Sequence, residues 1–170
     1  SDDAGKITVV GADDSTIDPG ETLVTIGEFE IAKEVAEEIT VTIASPLRVD
    51  GDVIANEPDN ELVTTTVEFG GNLIIRDGAF RVARSTTSNP GTLNVNTGEN
   101  ALVFRGSGTN NAIDTDGPFE ITSVTSRADG DDVTIVDGTD LTVTDTLFAR
   151  SSGFVIEDDG DPDDDKNGAD

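Results

Sequence analysis

Apolar residues recur along this chain at every second position, in short runs. Ile39, Val41 and Ile43 alternate with Thr40 and Thr42, and Val63, Val67 and Phe69 alternate with Thr64, Thr66 and Glu68. A period of two marks a strand with one face buried and the other wet. This pattern predicts strands over residues 6–10, 23–32, 39–43, 49–55, 62–69, 72–76, 79–84, 92–96, 101–105, 119–126, 132–136, 141–148 and 153–157. Ile31, Val35 and Ile39 also fit helical spacing, so a short helix over residues 29–38 competes with a hairpin-like connection. The β-patterned flanks favour the connection. Asp18-Pro19-Gly20 is a turn signal, Asp77-Gly78 and residues 97–100 read as hairpin turns, and residues 85–91 and 106–117 read as polar loops.

Some 11–13 short strands about ten residues apart predict an all-β fold, a single jelly-roll or Ig-like β-sandwich rather than a parallel sheet. The organisation expected is an N-terminal strand and linker (residues 1–20), a sandwich domain (21–157) and a low-complexity acidic tail (158–170). No repeat stands out. Ile75-Arg76-Asp77-Gly78 and Ile135-Val136-Asp137-Gly138 resemble one another, which reads as turn chemistry recurring.

Composition changes this picture in two ways. The chain has 170 residues, with 36 Asp and Glu against 10 Lys and Arg, a net charge of −26. High charge with low hydrophobicity is the signature of disorder. Here, however, 22 Thr, 17 Val, 13 Ile and 7 Phe are gathered into the alternating runs, which argues for a folded protein. Among the charged residues 24 are Asp and 3 are Lys, a balance that resembles the surfaces of proteins from salt-loving archaea. At molar salt the Debye length shrinks to about 3 Å and self-repulsion is largely screened.

The second change concerns chemistry. The chain contains no His, Cys, Met, Trp or Tyr. That excludes thiol chemistry, a Ser-His-Asp triad and His or Cys metal ligation. Every Asp/Glu pair is explained as surface charge, so no enzyme and no catalytic residue is expected. The negative charge opposes nucleic acid and anionic membranes, and no run approaches the ~18 apolar residues of a membrane span. Ser1-Asp2-Asp3-Ala4-Gly5 reads as an N-terminus left by a signal peptidase, which implies an extracellular location. No Asn-X-Ser/Thr sequon is present.

Two segments carry candidate sites. Asp163, Asp165, Asn167 and Gly168 match the first half of a calcium loop, and Asp159 and Asp161 extend the alternation of oxygen ligands. Halophilic bias alone also produces such a tail, so calcium is a candidate cofactor and not an assigned one. The runs at 114–117 and 129–132 are weaker calcium candidates that equally read as solvated turns. The other segment is residues 6–10, apolar and separated from the body by a polar stretch. Ile7, Val9 and Val10 are suited to pair within their own sheet or to fill slots on a neighbour's exposed edge.

Pro19-Gly20-Glu21-Thr22 followed by a strand, a polar connection and Ile39-Thr40-Val41-Thr42-Ile43 resembles a pattern of secreted β-sandwich surface proteins. It also resembles the start of the TasA/camelysin-like class of fibre-forming jelly rolls. That resemblance implies donor-strand assembly, in which one subunit's N-terminal strand completes the next subunit's sheet. The function expected is therefore a secreted structural subunit of a surface filament, pilus-like and serving adhesion or biofilm, whose partner is itself. The alternatives are a calcium-dependent Ig-like adhesion module and a viral jelly-roll structural protein.

Overall fold

The computed structural model describes residues 5–11, 13–18, 20, 25–33, 38–106, 109–128, 132–136, 138–150 and 153–156. Among them every strand-to-strand ladder is parallel. The chain winds through three faces in turn. The first circuit is β1 (Lys6–Val9), β2 (Ser15–Ile17) and β3 (Thr25–Ile26). The second is β4 (Glu28–Ile31), β5 (Glu38–Ile43) and β6 (Leu47–Val49). The third is β7 (Val53–Asn56), β8 (Thr64–Phe69) and β9 (Leu73–Ile75). The fourth is β10 (Ala79–Ala83), β11 (Thr92–Asn96) and β12 (Ala101–Gly106). The middle face then ends. β13 (Ala112–Thr115) leads into the long β14 (Gly117–Ala128), β15 (Val133–Ile135) into β16 (Thr139–Ala149), and β17 (Phe154–Ile156) closes the described chain.

The result is a parallel β-solenoid. Face A stacks β1-β4-β7-β10-β13-β15-β17, face B stacks β2-β5-β8-β11, and face C stacks β3-β6-β9-β12-β14-β16. The expected jelly-roll or Ig-like β-sandwich is thereby overturned. Alternation with period two reports a half-buried strand and says nothing about the direction of its neighbour. The Asp77-Gly78 signal is not a hairpin but the corner where β9 on face C turns into β10 on face A. Residues 97–100 likewise join β11 on face B to β12 on face C. The expected strands at 23–32 and 49–55 each bend at such a corner and belong to two faces. Residues 29–31 are strand, not helix, and residues 112–115, read as part of a polar loop, form β13.

The register shows why the alternation was so clean. Ile7, Phe29, Val53, Phe80, Ile113, Ile135 and Ile156 are successive partners on face A. They lie 22, 24, 27, 33, 22 and 21 residues apart. Equivalent side chains therefore stack about 4.8 Å apart along the axis. Phe29, Val53, Phe80 and Ile113 are all buried, as are Val49, Ile75 and Phe104 on face C and Val41 and Val67 on face B. The Phe80 ring meets that of Phe119 at 5.4 Å between centroids in a tilted contact.

A glycine column holds the corner between faces C and A. Gly5, Gly27, Gly51 and Gly78 each stand two residues before an aligned face-A residue, and Asn111 takes the next place. A Cβ on Gly51 would sit 2.2 Å from the Gly27 carbonyl oxygen, and one on Gly78 would sit 2.2 Å from the Gly51 carbonyl. The backbone of each turn passes so close to the last that only hydrogen fits. Here lies the repeat that the sequence reading did not find: glycine, then apolar residues at the second and fourth positions after it.

Candidate assembly surfaces

A solenoid of parallel strands has two ends, and each end leaves unpaired backbone groups. β1, β2 and β3 form the outer edge at one end. β17 on face A, β16 on face C and β11 on face B form the edges at the other. Unsatisfied strand edges are templates for a further strand.

The three residues expected in the assembly strand fall at the first of these ends. β1 pairs with β4 of its own chain, Ile7 opposite Phe29 and Val9 opposite Ile31. Val9 is buried, Ile7 is 37% exposed and Val10 is 62% exposed. The strand thus packs on β4 on one side, and on the other no described strand pairs with it.

Two cations fasten this first turn. Lys6 bridges to Glu28 at 2.7 Å and to Glu30 at 2.6 Å on the neighbouring strand. The hydrogen bonds that Lys6 donates to Glu28 first, and Glu30 next, push its amine up to about 12. The hydrogen bond from Lys6 is also the main reason Glu30 is held below the usual carboxylate range, with Asn56 helping and burial opposing. Lys33 is the other clamp. It is 1% exposed, and its Nζ donates to the Val10 carbonyl at 3.0 Å, the Asp13 carbonyl at 3.0 Å and Ser15 Oγ at 3.1 Å. It ties the β1–β2 corner to the turn below. The sequence offered no sign of this, since Lys33 sits in a charged stretch that reads as solvated.

At the far end the exposed large apolar residues concentrate in the last two strands. Leu147 and Phe148 on β16 are 56% and 46% exposed, and Val155 and Ile156 on β17 are 46% and 74% exposed. Natural solenoids remain soluble by closing their ends with polar caps. Among the described residues, these strands present apolar side chains there instead.

Other places in the molecule are already occupied by internal contacts. A polar cleft of about 300 Å³ opens between faces A and B near Glu30, Lys33, Asn56, Glu57, Asp59 and Arg84. Arg84 pairs with Glu57 at 2.9 Å, the Ser85 amide donates to Glu57 at 3.0 Å, and Ser85 Oγ donates to Asp59 at 2.6 Å. On the outer side of face A, Arg81 bridges Asp52 and Asp114, one turn to either side. Asp114 and Asp116, a weaker calcium candidate, are thus engaged by arginines: the Arg84 amide donates to Asp116. Asp132 accepts from the Gly153 amide. The tail candidates Asp159, Asp161, Asp163, Asp165 and Asn167 lie outside the described residues, as do residues 129–131. Among the described residues no group of three or more carboxylates is placed to hold a metal ion. No described helix is long and apolar enough to cross a membrane.

No family model matches the chain, and no curated protein or solved structure compared with it is significantly similar.

Proposed function

We propose that this chain is a secreted structural subunit that stacks end to end into an extracellular filament. The observation that carries this reading is the pair of open ends. Among the described residues, each combines parallel-strand edges that no described strand pairs with exposed apolar residues: Ile7 and Val10 at one end, Val155 and Ile156 at the other. The two ends differ, so the contact is head to tail, and a head-to-tail contact that does not close gives a fibre. The N-terminal strand contributes its free edge while remaining seated on β4, so assembly adds a neighbour to β1 rather than swapping β1 out. A charge of −26 supports a working place in strong salt outside a cell, where repulsion between stacked subunits is screened.

The test is electron microscopy and size exclusion in molar salt on the full chain, on Ile7→Lys and on Val155→Lys/Ile156→Lys. The full chain is expected to form fibres, and each variant to remain monomeric with native circular dichroism. A monomeric full chain at all concentrations, or variants that polymerise like it, would refute the reading. Transfer to dilute buffer is expected to unfold the subunit, and retained folding there would remove the argument for a saline habitat.

A further inference from the structure

The outer surface of face C carries a column of arginines. Arg105 on β12 is the direct partner of Arg127 on β14. Arg76 follows Ile75, which pairs with Phe104, and so stands one turn before Arg105. Arg150 follows Ala149, which pairs with Ser126, and its amide bonds the Ser126 carbonyl at 3.1 Å, so it stands one turn after Arg127. Four of the seven arginines in a chain of net charge −26 therefore stand in one line, about 4.8 Å apart.

The rest of the molecule shows how unusual this line is. Lys6, Lys33, Arg81 and Arg84 each hold specific oxygens of the same chain. In the column Arg76 pairs with Asp50 at 3.4 Å, while Arg105, Arg127 and Arg150 are exposed and make no ion pair with another described residue. Like charges at this spacing repel, and an anion lying across them removes that repulsion. Beside the column runs a second, partly apolar row, Arg48, Ile74, Val103, Thr125 and Phe148, in which Val103 is buried and Phe148 exposed.

We propose that this arginine column is a docking stripe for a linear anionic polysaccharide, one guanidinium for each carboxylate or sulfate group. Three features select this occupant. Guanidinium is the side chain whose fork matches a carboxylate or sulfate in a bidentate way. The stripe is one arginine wide, so a duplex nucleic acid would press its second strand against a molecule whose net charge is −26. The repeat decides between the remaining linear polyanions. An extended acidic peptide presents side chains on one side every ~6.7 Å, which falls out of step with ~4.8 Å after two contacts. An extended 1→4-linked sugar chain advances by about one turn of the solenoid per ring and stays in step, with the long arginine arms taking up changes of side. The partly apolar row offers the sugar rings a surface to lie on.

The experiment titrates the full chain with two 1→4-linked anionic glycans, polygalacturonate and heparin, and with uncharged dextran and polyglutamate, in the lowest salt that preserves its circular dichroism. Both anionic glycans are expected to bind, dextran not to bind, and polyglutamate to bind at least about tenfold more weakly. Arg105→Gln/Arg127→Gln is expected to weaken glycan binding about twentyfold and to make it less salt-dependent, with native circular dichroism. Arg105→Lys/Arg127→Lys keeps the charge but loses the fork, and is expected to recover part of the affinity. Polygalacturonate against heparin, both 1→4-linked, tells whether sulfate groups strengthen binding beyond carboxylates alone. The proposal is overturned if the folded Gln variant binds like the parent, if polyglutamate binds as tightly as the glycans, or if the substitutions alter only self-association.

Discussion

Replacing Gly78 by alanine tests the stacked corner directly. The added Cβ would lie 2.2 Å from the Gly51 carbonyl carbon and oxygen and 2.8 Å from the Asp52 nitrogen. Ordinary contact between such atoms is about 3.5 Å, so neighbouring turns must part by about 1 Å at this corner. The atoms in the way are backbone, which cannot swing aside as a flexible side chain can. Parting the turns strains the Ala79 amide bond to Asp52 Oδ1, now 2.9 Å, and lifts Phe80 from Val53. Overpacking of a tight core costs about 1–3 kcal/mol and a weakened hydrogen bond about 1 kcal/mol more, so we expect a loss of about 3 kcal/mol. With a urea dependence of about 2 kcal/mol per molar, the unfolding midpoint falls by about 1.5 M. Circular dichroism in fixed molar salt measures it. Gly5→Ala is the matched control, because it occupies the same column at the open end and a Cβ there meets nothing within 4 Å. Its effect should stay within about 0.5 kcal/mol. If Gly78→Ala unfolds at the same urea concentration as Gly5→Ala, the turns are not stacked in this register.

Lys33→Met strands three oxygen acceptors around a buried site and should cost about 3 kcal/mol; hydrogen exchange should locate the loosening in β1 and β2, and uniform protection would contradict the clamp. Thr65 is fully buried on face B between Ile39 and Leu93, and its hydroxyl has no hydrogen-bond partner among the described residues, so Thr65→Val should stabilise by about 1 kcal/mol in thermal unfolding. A comparable loss would reveal a partner for that hydroxyl. The Lys6–Glu30 pair predicts a pH window, read as the stability difference between the parent and Lys6→Met. Glu30 is lowered in the fold, so its contribution is present above the ordinary Glu value of about 4.3 and fades as pH falls through the lower folded value. Lys6 is raised, so its contribution is complete below about 10.4 and is lost as pH rises through about 12. A difference that does not change at either extreme would show that the bridges contribute nothing.

How much of this was legible in the sequence depends on what alternation can report. Ile39, Val41 and Ile43, or Val63, Val67 and Phe69, announced buried strand faces, and those faces are buried. Direction was not legible, because a solenoid corner and a hairpin draw on the same Asp and Gly chemistry: Asp77 adopts φ 57°, as a hairpin residue would. The repeat was concealed by turns of 21 to 33 residues, whose unequal loops defeat a search at fixed period. The glycine column was the usable signal. Its fifth member, Asn111, breaks the pattern, though its side chain still accepts the Asp77 amide across the corner. Ile7 and Val9 were legible as residues of a strand, since an apolar run beside a polar stretch is a local feature. Lys33 and the arginine column were not found, because both exist only once the register brings residues many positions apart side by side.

The unequal turns also set how the molecule responds to pulling. An axial load acts along the hydrogen bonds between turns, which open one circuit at a time rather than shearing together. Each circuit that opens replaces a rise of about 4.8 Å by its full contour, about 80 Å for the 24 residues between Phe29 and Val53. In the filament proposed above, each subunit would therefore lengthen circuit by circuit under an axial load. Its spare length is written in the spacing of its corners.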